Sequence, residues 1–276
     1  MNIPQFNTRK ELFDFLVLNK DLIIVDKKTQ LKKSDSFIYQ PDIINIKETA
    51  NKESIDNTMN INDVMVKVVI NTTNIIDSHM DCHMPGLWNK SLKENKNIYH
   101  LQEHEMEFEY IIASGKDLQA YTKTTTFAEL GIALPGTTEA LIFESLIKKD
   151  RNPFMCEQYR KGYVTNHSVG MRYISVVCCI NDDNYGAEYE AWQKYYPEVA
   201  NKSVADESGY FFAVKDAKVI EGSAVVIGSN YATPTIEVTE SKSLPPDGTS
   251  ETIQKPEIPL LESIDYKYLS KNLNLK

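Results

Sequence analysis

The chain has 276 residues, with 30 Lys and Arg against 39 Asp and Glu, for a formal charge of −9. Apolar residues make up 42% and charged residues 25%, ordinary globular usage that excludes a collagen-like or wholly disordered chain. No apolar run approaches the ~18–20 residues of a membrane span, and the acidic balance argues against direct nucleic-acid binding. The N-terminal apolar stretch from Phe15 to Leu18 falls short of the roughly 7–15 residues of a signal-peptide core, which points to a cytosolic protein.

In chain order, the first element is a capped helix. Thr8 and Glu11 fit the T-x-x-E pattern, in which hydroxyl and carboxylate satisfy N–H groups orphaned at a helix start. Leu12, Phe13, Phe15 and Leu16 then supply an apolar face. Lys27, Lys28, Lys32 and Lys33 read as a solvated face, with an anchor for an acidic partner as the alternative. Residues 46–63 are polar and aperiodic and read as a linker. The β-branched run over 64–70 predicts a strand, as does 108–113. Residues 137–148 predict a helix, with Ile142, Phe143, Leu146 and Ile147 along one side. Asn152 and Pro153 open a second helix that Gly162 closes.

Residues 164–180 predict a strand and 188–196 a short helix ending before Pro197. Residues 211–227 predict two strands separated by a turn near Asp216. This is an α+β pattern without regular βαβ alternation. Residues 239–259, rich in Pro, Ser and Thr, read as an extended tail, and 260–275 regain Leu, Ile and Tyr as a docking peptide. The expected organisation is a helical extension and linker over 1–63, a core over 64–235, and a flexible tail over 236–276.

Four cysteines, Cys82, Cys156, Cys178 and Cys179, form no disulfide framework or zinc pattern, and free buried thiols are expected. The five histidines invite two metal readings. If extended, Asp77, His79, Asp81 and His83 share one strand face and could hold Zn²⁺ or Mn²⁺. His100, Glu103 and His104 match H-x-x-E-H, whose chemistry needs a helix and a third ligand such as Glu188 or Glu190. A third candidate is Ser168. A hydroxyl needs a positioned imidazole to take its proton. On an unbroken strand Ser168, Gly170 and Arg172 share a face, so that Gly170 leaves space beside the hydroxyl and Arg172 supplies charge for an oxyanion. His167 then points away, leaving His104 or His79 as the base.

Three blocks resemble the prohead serine proteases of tailed bacteriophages, the capsid-maturation family related to herpesvirus assemblins. DSHMDCHMPGLWNKSL over 77–92, leading into LQEHE over 101–105, is similar to the segment that ends in that family's histidine. HSVGM over 167–171 is similar to its S-I/V-G nucleophile strand. IEGSAVV over 220–226, followed by NYA over 230–232, is similar to its E-V-S-L-V and P-A-N elements, with Gly222 in place of an apolar residue and no proline. The resemblance spans about 64–235.

It implies His104 as base, Ser168 as nucleophile and Glu221 as the group orienting the imidazole, on a β-barrel-like protease core surrounded by helices. No cofactor or metal is implied. The implied function is a serine endopeptidase cleaving major capsid and scaffold proteins during phage prohead maturation. It would work as a homodimer in the host cytoplasm, inside the assembling prohead, with no membrane. The alternatives are a metal-dependent hydrolase using His79, His83, His100 and His104, or a non-catalytic capsid assembly or scaffold protein.

Overall fold

The predicted capping box forms: Glu11 N donates to Thr8 Oγ1 at 3.2 Å, and Thr8 N donates to the Glu11 carboxylate at 3.3 Å. It starts α1 (Arg9–Leu18), and α2 (Lys20–Thr29) follows directly. The computed structural model describes residues 3–30, 62–95 and 97–240, all within one unit spanning Met1–Lys242. Phe13, Leu16 and Ile23 of the two helices enter the main core, so these helices belong to the fold and are no appendage. Lys27 is not on a solvated face. It is buried and pairs with the buried Asp81. Lys32, Lys33, most of the expected linker, and the 241–276 portion of the expected tail and docking peptide lie outside the described residues.

The remaining elements run β1 (Val64–Thr72), β2 (Asp81–His83), α3 (Asn89–Glu94), β3 (Tyr99–Gln102), β4 (Ile111–Ser114), β5 (Leu118–Thr126), β6 (Thr137–Ile147), α4 (Pro153–Arg160), β7 (Asn166–Ile180), α5 (Gly186–Tyr195), α6 (Lys202–Ser208), β8 (Tyr210–Val225) and β9 (Thr235–Glu240). This is a mixed α+β fold with two sheets. One has the order β5-β6-β1-β9. The other has β2-β8-β3-β4, with β7 pairing β8 along its length. Neither sheet closes on itself, so the barrel expectation is not met among the described residues. The sheets meet face to face instead: Val66, Val68, Leu141 and Phe143 from one share a core with Val169, Met171, Phe212 and Val219 from the other.

Residues 137–148 form strand β6, not a helix. Ala140 and Ile142 face one core cluster, whereas Leu141 and Phe143 face another. A strand buried on both faces loses the period-2 signal and reads as a continuous apolar run. It is also fixed by β1 and β5 on its two edges. The expected pair of strands over 211–227 is the single β8. Asp216 sits opposite Ser175 where the register shifts, and such a bulge bends a strand without ending it. Phe108–Tyr110 is a 3-10 turn, so the strand expected from 108 begins at Ile111. β9, in the segment read as the end of the core and start of the tail, pairs antiparallel with β1. The four cysteines are free and buried, and adjacent Cys178 and Cys179 face different clusters. Among the described residues no helix is long and apolar enough to cross a membrane.

Candidate active site

Strand β8 organises the site because it is flanked on both sides. Antiparallel β7 sets Ser168 opposite Ser223 and Gly170 opposite Glu221. Parallel β3 sets Leu101 beside Ser223. Residues directly opposite on a ladder share a face, as do residues two apart. Ser168, Gly170, Glu221 and Ser223 therefore line one face.

His104 comes from the turn that ends β3. Glu103 and His104 both adopt left-handed backbone conformations, with φ of 51° and 61°. For residues with a Cβ this costs roughly 1–2 kcal/mol each, and the surroundings hold it. Glu103 N donates to Ala224 O at 2.9 Å, Glu105 N donates to Gln102 O at 3.0 Å, and His104 N donates to Ser223 Oγ at 3.2 Å. The turn swings the imidazole over β8, where His104 Nδ1 lies 2.7 Å from Glu221 Oε1. The histidine is 6% exposed and the glutamate 1%. A carboxylate accepts the Nδ1–H, so the lone pair of the neutral ring sits on Nε2. Ser223 Oγ donates to the other carboxylate oxygen, Oε2, at 2.5 Å.

Gly170 has a different use from the one expected. An added Cβ would lie 1.7 Å from Glu221 Oε1, so the missing side chain makes room for the carboxylate. Ser168 is 5% exposed and stands across the ladder from this network without being one of its members. Arg172 lies beyond a bulge after Gly170, exposed and opposite Lys218; nothing in this arrangement draws it toward an oxyanion. At Gly222 an added Cβ would meet Phe143 at 2.6 Å and Ile70 at 2.8 Å. The opposite sheet therefore fills the space that an apolar side chain would occupy.

His167 and His100 lie in a buried hydrogen-bond chain. His167 Nδ1 faces the Thr233 carbonyl at 3.0 Å and must donate to it. Its Nε2 then accepts from Tyr159 OH at 2.9 Å. Tyr159 in turn accepts from His100 Nε2 at 3.1 Å, and Ser145 Oγ donates to His100 Nδ1 at 2.9 Å. This proton order satisfies two buried neutral imidazoles. Burial pushes His167 down to about 4 and His100 well below its ordinary value.

His83 Nε2 bonds Tyr173 OH at 3.0 Å, and Tyr173 donates to Asp81 Oδ2 at 3.0 Å. His79 lies in the turn before β2, where its carbonyl accepts from Lys27. Burial, with Asp81 beside it, pushes Asp77 up to about 7. Glu188, offered as a third ligand, is bound by Lys20 at 2.5 Å, and Glu190, the other candidate, is exposed. His100 sits on a strand and His104 on the turn after it, so the helix needed by H-x-x-E-H is absent. No group of three or more His, Cys, Asp or Glu is placed to hold a metal among the described residues. Asn230, in the P-A-N-like element, bonds Asn71 and Thr72 and ties the loop after β8 to β1.

The family resemblance paired His104 with Glu221, which the structure places in contact, and passed over Ser223. Its signal was available: on a strand, a serine two residues from a glutamate lies on the same face. No family model, curated protein or solved structure matches the chain.

Proposed function

We propose that the chain is a serine endopeptidase that cleaves major capsid and scaffold proteins as a phage prohead matures, inside the assembling shell in the host cytoplasm. One observation carries the reading: the buried 2.7 Å pair of His104 Nδ1 and Glu221 Oε1, on the sheet face that Ser168 shares. The order of the three resembling blocks supplies the substrate class. On this reading His104 Nε2 takes the Ser168 proton as Oγ attacks the scissile carbonyl. The imidazolium then protonates the leaving amine, and water attacks the acyl-enzyme with the same imidazole as base. Glu221 holds the ring in the required tautomer and orientation. The homodimer and the capsid substrates belong to the same proposal.

The test is covalent labelling of the purified protein with a fluorophosphonate, in which Ser168 Oγ bonds phosphorus as fluoride leaves. Labelling at Ser168, lost in Ser168→Ala and in His104→Ala but retained in His83→Ala and in the presence of a chelator, is the expected result. Folded protein that leaves Ser168 unlabelled, or a chelator that abolishes turnover of capsid protein, removes the reading.

A further inference from the structure

We infer that Ser223 is a positioning residue of this site, holding both the carboxylate and the backbone of the His104–Glu221 pair; the inference rests on the proposed reaction. Two serines face each other across the β7–β8 ladder, Ser168 and Ser223, and their surroundings give them different work. The Ser223 hydroxyl donates to Glu221 Oε2 at 2.5 Å, and Ser223 Oγ accepts the His104 backbone N–H at 3.2 Å. The side chain is fully buried, at 0% exposure. Buried in this way, Ser223 Oγ is closed to a substrate carbonyl. Ser168 lies outside those bonds.

The Ser223 hydroxyl acts at two points. A carboxylate on a rotatable side chain has two equivalent oxygens, and a donor on Oε2 fixes which oxygen faces Nδ1. The bond to His104 N also stabilises a left-handed residue that would otherwise relax toward a common backbone region and withdraw the ring. One hydroxyl thus couples the position of the acid to that of the imidazole. Its strand lies between the strand bearing Ser168 and the strand leading to His104. Gly170 completes the cradle from the other side, because any Cβ there would occupy the place of Oε1.

The test uses Ser223→Ala and Ser223→Thr, with two readouts. The first is the rate of Ser168 modification by a fluorophosphonate. The alanine variant should lose about 10- to 100-fold, the loss expected for a hydrogen bond to a charged group, and the threonine variant should recover most of it. The second is the downfield proton resonance of His104 Nδ1–H, assigned by its disappearance in His104→Ala. It should vanish or exchange rapidly in Ser223→Ala and return in Ser223→Thr. A Ser223→Ala protein that keeps both the resonance and the labelling rate overturns the inference. Resonance behaviour as expected in a protein whose Ser168 never reacts upholds the positioning role and removes the protease reading, so the two failures are separable. Circular dichroism of both variants checks the fold; if the alanine variant does not fold, Ser223→Cys, whose thiol is a weaker donor, takes its place and should show the same losses, and a folded cysteine variant that keeps both the resonance and the labelling rate overturns the inference.

Discussion

At Gly170 the room for one methyl group separates an intact His104–Glu221 pair from a displaced one. Alanine there would put a Cβ 1.7 Å from Glu221 Oε1, so the carboxylate must leave His104. Gly170→Ala should cost roughly 1–3 kcal/mol in urea unfolding, the usual cost of overpacking, and should slow Ser168 labelling at least about tenfold, as loss of a charged hydrogen bond does. Removing the obstructed group separates the two effects. In a Glu221→Ala background, Gly170→Ala should cost little stability, while labelling stays slow. A cost that persists in that background would place the strain in the β7 backbone instead of the carboxylate. The sequence motif flagged Gly170, but only the cross-strand register says which side chain needs the space.

Among the elements, α1 and α2 are tied to the core by apolar contacts and α2 also by two ion pairs, Lys20 with Glu188 and Lys27 with Asp81. Lys27 of α2 pairs with Asp81 of β2, and its ammonium lies 4.4 Å from the centroid of the Phe212 ring. Removing one member of a buried pair leaves the other charge uncompensated and typically costs about 3–5 kcal/mol. Lys27→Met, which keeps the apolar stem, should therefore lose stability on that scale in urea denaturation; a loss under about 1 kcal/mol would mean that water reaches Asp81. The capping box, the Asn152–Pro153 helix start and the strand over 164–180 were legible because their signals are local. β6 was misread because a strand packed on both faces carries no alternation. The β8 bulge was misread because a polar residue inside a strand looks like a turn.

Across the whole molecule, buried titratable groups pull stability in opposite directions with pH. His167 is held at about 4, below its ordinary 6.5, so the unfolded chain takes up protons first. Its contribution is present above about 6.5 and lost as pH falls through 4, and His100 acts in the same direction. Asp77, raised from 3.8 to about 7 by burial and by Asp81, acts oppositely: its contribution is present at low pH and lost as pH rises through 7. Asp77→Asn keeps an oxygen for the His79 and Asp81 N–H groups and removes the ionisation. The variant should match the wild type near pH 4. At pH 8 it should exceed it by up to about 4 kcal/mol, the free energy separating the ordinary value from 7. Urea midpoints at the two pH values check this, and equal midpoints at pH 8 would show that Asp77 ionises at its ordinary value.

Helix starts, the longer β-branched strands and the α+β class were readable from neighbouring residues, since capping, alternation and composition act over a few positions; His104, Ser168 and Glu221 were singled out together only by the order of motifs that resemble a protease family. Two open sheets in place of a barrel, the burial of Lys27, the sharing of Glu221 between His104 and Ser223, and the need for Gly170 were not readable. They arise from strand register and from packing between elements far apart in the chain, and a one-residue slip of β7 against β8 would turn Gly170 away from Glu221.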